Sequence, residues 1–237
     1  VNLHPRTANG GWLGIASGAL LLVSAAMLSA PGADGPASEI STYFADSRAV
    51  VLLSQAVGLA AAVLFLAFAL RFALAATPGP ADPDRWRLVW SSGVLVFAAA
   101  VVASLPTILL ALTSDANAAS SWTRPLALLA DGTDAALFLT IALFLAAAAT
   151  QGTRAPAWLR ASAAIGALLA IARSIAGLVQ VTSVLEAVAP LAFIAVVLAA
   201  SVWMLWPGPP QKVDQGPGGD GRGPGGGPGG PGDGWGS

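Results

Sequence analysis

The chain has 237 residues, of which 56% are hydrophobic and 10% charged, with a mean hydropathy of +0.73 and a formal net charge of −1. Soluble domains carry roughly 25% charged residues, so the composition is that of an integral membrane protein, and no basic stripe exists to neutralise a nucleic acid. Cysteine is absent and the single histidine is His4, which argues against disulfides, thiol redox chemistry, haem ligation by histidine and Cys/His metal sites.

Val1–Gly10 reads as a polar leader, followed by an apolar run from Gly11 to Ala30. That run is long enough to cross a ~30 Å hydrocarbon core at ~1.5 Å per residue. A cleaved signal peptide is the alternative, but Pro31 directly follows and no A-x-A-like site is near. Gly10, Gly14 and Gly18 recur at helical spacing and clear one face for another helix, as a packing seam rather than a dedicated dimer motif.

Residues 31–47 form a polar excursion in which Ser38 is placed to cap a short helix carrying Ile40, Tyr43 and Phe44. The pattern predicts an interfacial lid whose aromatic rings anchor at headgroup level. The second span has its core at residues 50–70 and holds Gln55, positioned to bond across to another helix. Thr77–Arg87, with three prolines and a charged cluster, reads as a loop. A third span covers residues 88–112, and Pro106 near its far end marks either a packing bend or backbone lining a cavity, with packing the simpler reading.

The fourth span, residues 126–149, starts after Thr123 and Pro125 and carries two carboxylates, Asp131 and Asp134. A charge in hydrocarbon costs at least ~2.5–3.5 kcal/mol, so such groups face a protein interior and have partners. The fifth span, residues 158–181, carries the one other ionisable group well inside a span, Arg173, on a helix rich in small residues that belongs in the middle of the bundle. Ser183 and Glu186 have capping-box spacing and open the sixth span, residues 184–206, with Pro190 in its first turns. Residues 207–237 form a Gly/Pro-rich tail too poor in large apolar residues to order itself.

The expected architecture is therefore an all-α, polytopic bundle of six transmembrane helices within residues 11–206, between the leader and a disordered tail. Of the eleven Lys and Arg residues, eight fall in the leader, the second and fourth connections, the helix ends beside them, and the tail. Only Arg48 and Arg124 flank the opposite connections. The positive-inside rule then predicts a multi-pass protein with both termini cytoplasmic. Asp134 and Arg173 come to matched depths of ~12 Å below the outer surface, with Asp131 at ~8 Å. The candidate site is thus the intramembrane cluster Asp131, Asp134 and Arg173, with Gln55 and Glu186 as weaker members.

No metalloprotease, nucleophile-elbow, redox or phosphate-loop motif occurs. The sequence therefore predicts no catalytic residue, no metal and no cofactor. Partners are the lipid bilayer and, beyond it, a second copy or another membrane protein. Two functions stand: a non-enzymatic scaffold or accessory acting through partner contacts, or a small transporter, channel or proton-coupled sensor whose polar site lies in the outer third. The order of features, with TYFADSRAVVLLSQ after the first span, then a basic loop, and TRAPAWLRASAAIG opening the fifth, resembles a group of actinobacterial six-helix membrane proteins of unknown function. The resemblance covers residues 11–206 and implies the six-helix fold and a bacterial plasma membrane but no site residue.

Overall fold

The computed structural model describes residues 4–27, 31, 33–76, 83–115, 120–150, 155–178 and 184–206. The expected tail, Ser183 with its capping box, and the connection at 151–154 lie outside the described residues. Seven helices and no strand occur among the described residues: α1 His4–Met27, α2 Ala37–Asp46, α3 Arg48–Ala76, α4 Pro83–Thr113, α5 Thr123–Ala149, α6 Ala157–Leu178 and α7 Leu185–Leu205. All except α2 contain a stretch long and apolar enough to span a bilayer.

The six long helices close into a ring. Each packs against its neighbour in the chain, α1 on α3, then α3 on α4 and onward to α7, which returns to α1. Leu74, Leu95, Leu105, Leu139, Leu168 and Ile175 are each at least half exposed on its outer surface, where the fitting solvent is lipid. The small-residue helix α6 is one wall of this ring, packed on α5 and α7, rather than its middle. Its small residues serve lateral approach instead: Gly166 faces Leu145 on one side and Val196 on the other.

Aromatic side chains fill the centre of the ring. Phe65 of α3 meets Phe144 of α5 at 5.0 Å and Phe193 of α7 at 5.4 Å between ring centroids, both edge to face. Phe72 continues the stack to Trp203 at 6.2 Å. Helices that are not neighbours in the ring therefore touch through their rings, and the main core is a packed plug.

The glycine face of α1 is used within the chain. Gly10 lies against Met204 and Arg71, Gly11 against Leu205 and the Ser201 backbone, Gly14 against Ser201 and Phe68. A pair of serines, unremarked in the sequence, completes the seam: Ser24 Oγ donates to the Ser54 carbonyl at 3.0 Å and Ser54 Oγ to the Ser24 carbonyl at 3.2 Å. These bonds between α1 and α3 stand where Gln55 was expected to reach across. Gln55 itself is half-buried and bonds to no described side chain or backbone group.

Two boundaries differ from the sequence reading for reasons of proline geometry. α4 begins at Pro83, so Asp84, Arg85 and Arg87 lie in its first turns and not in a loop. Pro needs no N–H at the first helical position and Asp84 complements the positive helix end. α2 begins before Ser38, with Pro36 as its N-cap in extended conformation (φ −60°, ψ 137°), so Ser38 sits inside the helix and caps nothing. α2 also turns its apolar side inward: Ile40 is fully buried and Phe44 is 4% exposed. With Val51, Leu110, Ala111 and Ala127 they form a second, smaller core at the α2 end of the bundle. Phe44 is therefore not the headgroup anchor that the sequence predicts.

Candidate functional site

The two cores are separated by a polar layer in which α5 and α6 are locked together. Arg173 Nη2 donates to Asp134 Oδ2 at 3.0 Å. One residue on, Ser174 Oγ donates to the Ala135 carbonyl at 2.8 Å. Gly177, one helical turn past Arg173, lets this happen: a Cβ there would lie 2.8 Å from an Arg173 guanidinium nitrogen and 3.3 Å from Ala135 Cβ. The space that Gly177 leaves thus holds the guanidinium beside α5, and the cation stacks over Phe138 at 5.4 Å. Arg173 Nε is buried with no partner among the described residues.

The pair is unevenly exposed. The Arg173 side chain is 14% exposed and that of Asp134 is 42% exposed. Beside Asp134, between α5 and α4, lies a cavity of about 190 Å³. Pro31, Ala33 and Phe44 roof it, Ala103, Thr107 and Leu110 of α4 form one wall, and Ala127, Ala130, Asp131 and Asp134 of α5 form the other. Asp134 therefore has one face toward arginine and one toward the cavity.

Asp131, one turn nearer the α2 end, is exposed and forms no ion pair with Arg173. It faces the cavity and accepts a hydrogen bond from the Ala33 backbone N–H. It is thus not the second acceptor for Arg173 that the one-turn spacing suggests. Glu186 is exposed in the first turn of α7, whose N-cap position is Val184 with no side-chain capping bond. Glu186 and Asp34 do not line the cavity, yet both add negative potential at Asp131. Gln55 takes no part.

α4 and α2 also contribute to the cavity. Pro106 is buried inside an α4 that runs through it, and the residues flanking it, Ala103 and Thr107, line the cavity. Pro106 itself is packed and does not line the cavity, which agrees with the packing reading of that proline. The roof is pinned by two bonds to the connection after α4: Ser41 Oγ donates to the Asp115 carbonyl and Arg48 Nη2 to the Ser114 carbonyl, both at 2.8 Å. The short helix read from the sequence as an interfacial lid is this roof, and its two pinning bonds had no sequence signal.

No family model, curated protein or solved structure matches the chain.

Proposed function

We propose that this integral membrane protein is a non-enzymatic receptor for a small solute, which it holds beneath α2 in the cavity bordered by Asp131 and Asp134, as a sensor or as the loading site of a transporter. The observation that carries the reading is that Asp134, whose side chain is 42% exposed, lines that cavity. Carboxylates that only fixed helix register would be spent in a dry interface, and a pocket of convergent polar groups on apolar walls is the usual form of a ligand site. The aromatic plug around Phe65 favours a blind site over an open channel.

The arginine distribution supports both termini being cytoplasmic, which places the α2 end outside. The solute then enters from the external medium. Because the chain has no cysteine, Ala103→Cys gives a protein with one thiol, on the cavity wall. In intact cells it should react with a small cationic, membrane-impermeant methanethiosulfonate added outside. A thiol that reacts only after denaturation would mean a closed, dry interface, and the reading would fail.

A further inference from the structure

The cavity's chemistry is specific about charge and shape. Arg173 is the ion-pair partner of Asp134 on the α6 side and acts on Asp131 only through space, against the negative potential that Asp34 and Glu186 add there. With two carboxylates on the cavity wall and one arginine behind them, an anion is repelled and a cation is drawn in. Three acceptors face the space. Asp131 keeps lone pairs beyond its bond from Ala33, Asp134 has its second oxygen, and Thr107 has its hydroxyl.

Thr107 differs from three other threonines of the long helices in one respect. The hydroxyls of Thr113, Thr133 and Thr140 each donate to a carbonyl of their own helix. That of Thr107 has no partner among the described residues and sits on the cavity wall. A half-buried hydroxyl left without a partner beside two carboxylates is a group that a ligand or water must satisfy.

The rest of the lining is apolar: Phe44, Leu110, Pro31 and the alanines. A bare metal ion wants six or more oxygens at short range, and among the described residues no cluster of three carboxylate, histidine or cysteine ligands exists to start such a cage. An ammonium group carries three N–H donors, matching three acceptors, and a short alkyl body matches the walls. The volume of about 190 Å³ equals roughly six waters at ~30 Å³ each, which limits the body to a few carbons.

We infer that the cavity takes a small primary alkylammonium, its charge held by Asp131, its remaining N–H donors met by Asp134 and Thr107, and its alkyl chain laid against Phe44 and Leu110. This rests on the reading that the cavity is open to the external solution. The two fail in different ways.

The test uses the Ala103→Cys protein in membranes and three matched probes that share a four-carbon chain: n-butylammonium, n-butanol and butyrate. n-Butylammonium should slow thiol labelling at a concentration about tenfold below that at which n-butanol does, the ratio a charge-assisted hydrogen bond provides. Butyrate should give no protection. Adding Asp131→Asn should erase the difference between amine and alcohol, and Asp131→Glu should keep most of it. Equal protection by amine and alcohol overturns the ammonium assignment while leaving the open cavity standing. Protection by butyrate, or protection by Mg²⁺ or K⁺ at lower concentrations than by the amine, overturns it too. If Asp131→Asn fails to fold, the probe series on Ala103→Cys alone still decides, since the alcohol and the amine differ only in the charged head. Absence of any labelling sinks the underlying site.

Discussion

Asp134→Leu destabilises the protein more than Arg173→Met does, although the two residues are partners in one ion pair. The reason lies in what each substitution leaves behind. Without Asp134, a guanidinium that is only 14% exposed stays between α5 and α6 with its Nε already unpartnered. Breaking a buried pair from one side costs about 3–5 kcal/mol, most of it the penalty of the stranded charge. Without Arg173, the stranded group is Asp134, whose side chain is 42% exposed and lines the cavity, so it can be hydrated there. The cost then falls to roughly that of one charged hydrogen bond, about 1.5–3 kcal/mol. The double variant removes both charges and should be more stable than Asp134→Leu alone, because nothing is left unpaired. Melting in detergent of the four proteins measures this as a double-mutant cycle. Additive effects would mean that the two side chains do not act as a pair. A larger loss for Arg173→Met than for Asp134→Leu would mean that the cavity does not hydrate the carboxylate.

The second large effect lies at the opposite end of the bundle, in the seam of α1. A Cβ at Gly14 would fall on Ser201 Oγ and within 2.6 Å of the Phe68 ring. Both neighbours are fixed: Ser201 is fully buried with its hydroxyl bonded to the Val197 carbonyl at 2.7 Å, and Phe68 is 1% exposed. α1 must therefore move away from α3 and α7 at once. Gly14→Ala should cost about 1–3 kcal/mol as an overpacked core does, and Gly14→Leu should disperse the bundle during extraction. Gly132→Ala is the matched control, because nothing lies within 4 Å of the Cβ it adds. It should be neutral or stabilising by up to ~1 kcal/mol through helix propensity alone. Equal losses at the two positions in detergent melting would contradict a glycine seam that closes the ring.

The all-helical, six-span architecture was legible in the sequence because bilayer thickness leaves few alternatives for apolar runs of this length. The meeting of span four with span five could be read from two carboxylates and one arginine at matched depth on antiparallel neighbours. What could not be read is which side of α5 each carboxylate faces. Asp131 and Asp134 are one turn apart, yet one turns to the Ala33 backbone and the other to Arg173, a choice set by the closure of the ring and the position of α2.

The aromatic face of the roof was misjudged for a related reason. Tyr43 and Phe44 beside a span look like membrane anchors by composition. Only the inward turn of α2, held by Ser41 and Arg48 on carbonyls some seventy residues along the chain, makes Phe44 a cavity wall. Small residues misled at α6 as well, since a small surface signals close approach without saying from how many sides. Ser24 and Ser54 gave the weakest signal of all: a hydroxyl in a span bonds to its own helix as readily as to a neighbour, and their reciprocal bonds depend on the register that the α1 glycines allow.

A wet pocket at one end, closed beneath by packed rings, is the centre of this account, and α4 offers a ruler along it. From the α2 end inward, Leu110, Thr107 and Ala103 line the cavity, whereas Val96 and Val89 are buried in the main core at 5% and 0% exposure. Single cysteines at these five positions, labelled in membranes by the small cationic thiosulfonate from the α2 side, measure how far water reaches. Cysteine should react rapidly at positions 107 and 103, which are partly exposed, and not at 110, 96 and 89, which are buried. Reaction continuing through 96 to 89 would reveal a path through the aromatic plug, and protection at all five would show that the acids sit in a dry interface; either result contradicts it.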